Sequence, residues 1–225
     1  MMNHDWQPLL LTFKLAAITT LILCAVGIPF AWWLAHTRVR LKPVLEALVS
    51  MPLVLPPSVL GFYLLLAFSP SNWFGGVLEQ VAGLKLAFSF SGLVVASVLF
   101  SFPFMVHPVQ AGFQNLPKVL SEAAYTLGKS RWQTFLYVQL PNIRPQLVAG
   151  AVLSFAHTIG EFGVVLMIGG NLPGQTRVAS IAIYDEVEAM NYDAANFYAL
   201  VLFAISFVTL LGVYLVNRKM MARVI

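Results

Sequence analysis

Charge is what this chain has least of. Asp, Glu, Lys and Arg together make up 10% of its 225 residues, where a soluble domain carries roughly 25%. A soluble fold of this length has too little interior to hide a 59% share of hydrophobic residues, so lipid is the expected solvent for much of the chain. Cysteine is almost missing: Cys24 stands alone in an apolar run, has no disulfide partner and reads as a small buried hydrophobe. No group of His, Cys, Asp and Glu has the spacing of metal ligands, so no metal is expected. No G-x-x-x-x-G-K-[ST] phosphate loop occurs, so neither ATP nor any other cofactor is expected on this chain. Internal repeats and low-complexity runs are also lacking, and residues 1–225 read as one domain. The formal charge of +4 does not point to nucleic acid, because the basic residues sit in short connections between apolar runs.

Those runs are what the chain has in abundance. A helix needs about 20 apolar residues to cross the hydrocarbon core, and five stretches qualify: about 10–35, 44–68, 88–113, 147–170 and 195–216. The expected class is therefore an all-α integral membrane protein with five transmembrane helices. Lys and Arg in the successive connections and the tail number 3, 1, 4, 1 and 3, the last group being Arg218, Lys219 and Arg223. The positive-inside rule then puts the N-terminus outside and the C-terminus in the cytoplasm. Residues 1–7 lack the basic region and cleavage site of a signal peptide, so the first span is expected to be retained. Trp32, Trp33, Trp73 and Trp132 fall near the predicted interfaces, where indoles anchor well.

The third connection, 115–141, has punctuation of its own and falls on the cytoplasmic side. Pro117 suits a first helical turn, Gly128 a left-handed stop, and Ser130 with Gln133 a capping box that starts a second short helix. Pro141 is expected to end that helix. The plain reading is a structured loop. The functional one is a compact helix pair that seats in a groove of a partner and moves with it.

The residues of this segment run Glu122-Ala123-Ala124, Gly128, Val138, Leu140-Pro141, or E-A-A-x3-G-x9-V-x-L-P. This resembles the coupling signature of bacterial ABC-importer permeases, with Val138 at the usual isoleucine. The resemblance implies a type I importer permease fold in the inner membrane. It implies a homodimer working with two cytoplasmic ATPase subunits, which carry the ATP and magnesium, and a periplasmic binding protein that delivers cargo. It also assigns ATPase coupling to Glu122, Ala123, Ala124, Gly128, Leu140 and Pro141. Two further stretches, M-P-L-V-L-P-P-S-V-L-G-F-Y from Met51 to Tyr63 and Gly160-Glu161-Phe162-Gly163 with Ile181-Ala182-Ile183-Tyr184, resemble the oxyanion-importing branch, most closely its molybdate permeases. Molybdate, with tungstate, is the implied cargo. Sulfate and thiosulfate permeases share much of the second stretch and remain the alternative.

An oxyanion pathway asks for hydrogen-bond donors without full cationic charge. Pro56 and Pro57 must kink or break the second span. A helix restarting there would aim free N–H groups and its positive end at an anion, with the Ser58 hydroxyl as a further donor; a packing kink is the plain alternative. In the fourth span Ser154, His157, Thr158 and Glu161 are spaced to share one helical face. A carboxylate repels an anion, so Glu161 is expected to pair with a cation or backbone donors and shape a gate. His157 reads either as a hydrogen-bonded packing residue or as a ligand. A secondary transporter would show inverted repeats, and an enzyme would show a convergent catalytic set; neither is visible.

Overall fold

A computed structural model describes residues 5–221; residues 1–4 and Arg223 of the basic tail lie outside them. In chain order the helices are α1 (Gln7–His36), α2 (Lys42–Val54), α3 (Pro57–Phe68), α4 (Trp73–Ala82), α5 (Phe90–Gln114), α6 (Lys118–Thr126) and α7 (Arg131–Thr134). A π-helical turn over Phe135–Gln139 follows, then α8 (Leu140–Asn142), α9 (Arg144–Gly160), α10 (Gly163–Gly169), α11 (Ala179–Glu188) and α12 (Tyr192–Met221). No strand occurs among the described residues.

Helices α1, α5 and α9 form the centre. The buried residues of α1, from Thr12, Leu15 and Thr19 to Leu23, Gly27, Ala31 and Leu34, recur every three or four positions and make one stripe. Gly27 faces Met105 of α5, and Gly150 of α9 faces the same side chain. Small residues on both sides thus let three backbones close around one methionine, which is how helices pack where lipid gives no hydrophobic drive between them. Around Met105 lie Leu23, Val106, Val109 and Phe113; a second cluster toward the other end joins Leu15, Leu93 and Ala96 to Val164, Val165 and Ile168 of α10. Helix α12 lies outside, anchored by Tyr198, whose hydroxyl donates to the Asp5 carbonyl at 2.8 Å.

Helices α1 and α5, and Tyr192–Gly212 of α12, are long and apolar enough to cross a membrane; counting each bent pair as one span brings the number to five. The bent pairs are the departure from simple spans. Helices α2 and α3 meet at 111°, and α9 and α10 at 62°. The first break follows from chemistry: Pro56 and Pro57 offer no N–H, and Leu55, held extended by the proline after it, ends α2 at φ −70°, ψ 136°. The second span was expected to break; the fourth was expected to run straight. Its break falls at Glu161, extended at φ −70°, ψ 130°, and the cause is tertiary. Gly163 starts α10 against Pro57, where a Cβ would come within 2.9 Å of the proline's own Cβ.

The connection after α3 also holds an unforeseen helix, α4. The Asn72 side chain accepts the Phe74 N–H and Gly83 closes it at φ 63°; this cap-and-stop pair was legible but short. Lys14 lies over the Phe90 ring at 4.7 Å.

Glycine contacts give a stability test. A Cβ at Gly92 would lie 1.9 Å from the Leu86 carbonyl oxygen, whereas at Gly27 it would meet the movable Met105 side chain at 2.9 Å. Overpacking costs about 1–3 kcal/mol. Gly92→Ala, which must displace backbone, is expected at the top of that range, and Gly27→Ala well below it. Thermal unfolding in detergent should show the Gly92 variant melting clearly lower; midpoints equal to the parent would refute the close approach.

Candidate functional site

The 115–141 segment folds as two short helices at one end of the bundle. Helix α6 stops where Gly128 turns at φ 75°, its N–H bonded to the Tyr125 carbonyl at 2.9 Å and the Lys129 N–H to Ala124 at 3.0 Å. Ser130 and Gln133 form the capping box that opens α7. Glu122 and Ala123 point outward, while Ala124 is buried and seats α6 on the bundle. Nothing lies within 4 Å of where a Gly128 side chain would project. Along the segment Val119, Leu127, Trp132 and Tyr137 stand exposed, Leu127 at 80%. Exposed apolar side chains of this kind on a charged segment are suited to contact with another protein. Between α6 and the ends of α1 and α5 runs a groove of about 380 Å³, lined by His36, Phe113, Lys118, Ser121, Glu122 and Tyr125.

Pro141 does not end the second helix. The chain loosens one step earlier, into the π-helical turn Phe135–Gln139, and Pro141 enters the new α8 turn, where a missing N–H costs little. The break comes at Ile143, φ −109°. Asn142 donates its side-chain amide to the Val138 carbonyl at 2.6 Å, satisfying an oxygen in the loosened stretch. Leu140 packs on the cluster of Phe113, Phe135 and Ile143. Leu140 and Pro141 therefore lie at the root of the segment and not on its outer face. The contact between Gln139 and Trp32, which the sequence places only as an interface anchor, is missed by the sequence reading. The indole N–H of Trp32 donates to the Gln139 Oε1 at 2.6 Å, and Gln139 Nε2 donates to Ser121 at 3.0 Å. Nothing in the spacing alone marks this pair.

Toward the other end, the two broken spans meet. Besides Pro57, the Ser58 backbone lies 3.3 Å from a Gly163 Cβ, and Gly61 abuts Val164 and Met167. Helices α3 and α10 therefore start together and run side by side in one direction. Pro56, Pro57 and Ser58 are exposed on the single chain. In the first turn of α3 Pro57 has no N–H, and the Val59 and Leu60 N–H groups donate to the Pro56 carbonyl at 2.9 and 3.3 Å, which leaves only the Ser58 N–H without a carbonyl one turn earlier in the helix. An adjacent hollow of about 330 Å³, lined by Val49, Pro52, Leu55, Leu60, Leu99 and Phe102, is apolar and offers an anion no donor.

Of the four polar residues of the fourth span, Ser154, His157 and Thr158 share one face of α9, and only Glu161 leaves it. Ser154 and Thr158 are buried against α5, Thr158 within 3.0 Å of the Ser101 hydroxyl. His157 meets Ser101 through Nδ1 at 2.9 Å and stacks on Phe104 at 4.0 Å, a hydrogen-bonded packing arrangement. Glu161 departs from the helix altogether, because the break rotates it away. It is 4% exposed, and neither carboxylate oxygen finds a hydrogen-bond partner or a cation among the described residues; Ser97 lies alongside with its own hydroxyl unpartnered. The expected cation or backbone donor is not there. The Glu161 carbonyl accepts the Ser180 hydroxyl at 2.7 Å, tying the break to α11. Tyr184 on α11 donates to Glu188, and that hydrogen bond, with the carboxylate's charge, raises the phenol's pKa. No group of three or more His, Cys, Asp or Glu that could hold a metal occurs among the described residues.

Comparison with known proteins places this geometry. Residues 27–222 match the family described as binding-protein-dependent transport system inner membrane component. The chain is 49% identical to the molybdenum transport system permease protein ModB of Azotobacter vinelandii, over 96% of both chains. It is 36% identical to the sulfate transport system permease protein CysT of Escherichia coli K12, over 88% of this chain and 72% of that one. Among solved structures, a bacterial ABC transporter involved in import of the polysaccharide alginate has the same fold, with a TM-score of 0.79 at 17% identity over 97% of this chain and 80% of that one. The chain therefore belongs to the family of inner-membrane permease components of binding-protein-dependent ABC importers.

Proposed function

We propose that the chain is the transmembrane subunit of an ATP-driven importer for molybdate, with tungstate as a second cargo. The observation that carries the importer role is the exposed helix pair α6–α7, with Gly128 at its apex and an apolar rim facing away from the bundle. The cargo is supported by the 49% identity to a molybdenum permease over nearly the whole chain. The basic residues of the connections set the N-terminus outside and α6–α7 in the cytoplasm, where an ATPase subunit seats on Glu122, Ala123 and the turn at Gly128. Ala124, Leu140 and Pro141 hold that element to the bundle. ATP and magnesium belong to the two ATPase subunits. A second copy of this chain faces the exposed Pro56-Pro57-Ser58 break and encloses the path, and a periplasmic binding protein delivers the anion to it. Closure of the ATPases draws the two α6–α7 elements together and turns the path from inward to outward access.

Purified permease, reconstituted with its ATPase subunits and binding protein, tests the cargo. Molybdate and tungstate are expected to stimulate ATP hydrolysis, and sulfate at equal concentration is not. Stimulation by sulfate alone would reassign the chain to the sulfate branch.

Gly128→Trp is expected to leave the protein in the membrane and abolish uptake, because the indole projects into the docking face. Glu122→Ala should act weakly, an exposed ion pair being worth about 0–1 kcal/mol. Full uptake by the Gly128 variant at parental expression would refute the docking role.

The α3 terminus makes a charge-specific prediction. Ser58→Asp sets a negative charge against the incoming anion and is expected to cut uptake sharply, while basal ATP hydrolysis persists. Ser58→Ala removes one donor and should be mild. Equal uptake in the Asp variant and the parent would leave the prolines as a packing break only.

A further inference from the structure

A glutamine amide can accept at one end and donate at the other, and Gln139 does both while only 5% exposed. Its Oε1 accepts from the Trp32 indole near the end of α1 at 2.6 Å, and its Nε2 donates to the Ser121 hydroxyl of α6 at 3.0 Å. Ser121 immediately precedes Glu122. Among the described residues no other side-chain hydrogen bond joins α6 to a helix of the bundle. The π-helical turn is what aims the side chain there, since one extra residue per turn rotates everything after it around the helix. Aromatic rings brace the same joint: Phe135 lies 5.2 Å from Trp32 and 5.1 Å from Trp132.

We propose that Gln139 is a positioning residue that carries movement of α6 into α1, so that a displacement at the ATPase contact becomes a displacement of the central three-helix core. The inference rests on the reading of α6–α7 as the ATPase contact, and deepens it. A buried amide bonded at both ends is suited to this, because slippage would leave donor and acceptor unpaired away from water. Apolar contact alone would let α6 slide. The joint thus separates two tasks: the outer face of α6 binds, and its inner face transmits.

The test is the reconstituted complex carrying Gln139→Met, which keeps the side chain's length and removes both hydrogen bonds. It is expected to assemble and hydrolyse ATP without cargo like the parent. Stimulation by molybdate-loaded binding protein, and molybdate imported per ATP, are both expected to fall about fivefold, the combined effect of losing two hydrogen bonds from the coupled step. Gln139→Glu keeps the acceptor for Trp32 and accepts the Ser121 hydroxyl in turn, so it is expected to recover most of the ratio. Ser121→Ala, a small change at a half-buried position, removes one arm and should lower the ratio about twofold; it decides the matter if the Met variant does not reach the membrane. An unchanged ratio in the variants, or loss of assembly in Gln139→Met, overturns the proposal. A Gly128→Trp complex run in parallel separates the two readings. If it is dead while Gln139→Met couples normally, only the transmission role fails; if it transports normally, the docking role fails as well.

Discussion

Inside a bilayer, every backbone N–H and C=O must find its partner within the protein, and irregular backbone survives only where protein or a water-filled path covers it. This chain interrupts two of its spans, at Leu55–Pro56 and at Glu161–Phe162. It brings the interruptions to the same place, Pro57 against Gly163. Each break thereby supplies part of the cover for the other, and the helices that restart there, α3 and α10, pack along their length. Pro56-Pro57-Ser58 remains exposed on the single chain, and because a break open to lipid is costly, that face is suited to meet protein or water.

The opposite end obeys a different rule. There the chain leaves the apolar region and water can satisfy loose backbone groups, so short helices, a left-handed glycine and a π-helical turn are all affordable. What must be controlled is the angle at which the protruding pair leaves the bundle. Ala124 supplies contact and Gln139 supplies direction, bonding to α1 on one side and α6 on the other. Between the two ends stand α1, α5 and α9, locked around Met105 by Gly27 and Gly150. A core closed so tightly is a rigid element between the two ends.

Much of this was legible in the sequence for physical reasons that are local. Apolar length gives the spans. Proline chemistry gives the first break, while Gly128 and the Ser130–Gln133 box give the turn between α6 and α7. What was hidden depends on contacts between distant residues. No local signal breaks the fourth span, since Gly160 and Gly163 are ordinary in a membrane helix until Pro57 arrives beside them. For the same reason Glu161 was read onto a helical face with Ser154 and Thr158, where a continuous helix would have put it. Pro141 was read as a stop because the sequence rule assumes a regular helix before it; the π-helical turn removes that assumption. The Trp32–Gln139–Ser121 bridge spans 107 residues on one side and 18 on the other, and periodicity cannot report a contact of that kind.

The distribution of charge carries the argument about selectivity further. No Lys or Arg occurs from residue 43 to 84 or from 145 to 176, the stretches that build both broken spans. A site able to separate molybdate from sulfate would need several fixed donors matched to one anion size, and full cationic charge would make such a site strong enough to hold its cargo. The α3 terminus offers instead the Ser58 amide, its hydroxyl and a partial positive charge of about half a unit. That combination lowers the cost of an anion's passage without holding it. On this reading discrimination belongs to the binding protein, before the membrane is reached, and this chain contributes passage and timing. Its two functional ends then need no shared ligand chemistry, only a rigid core between them.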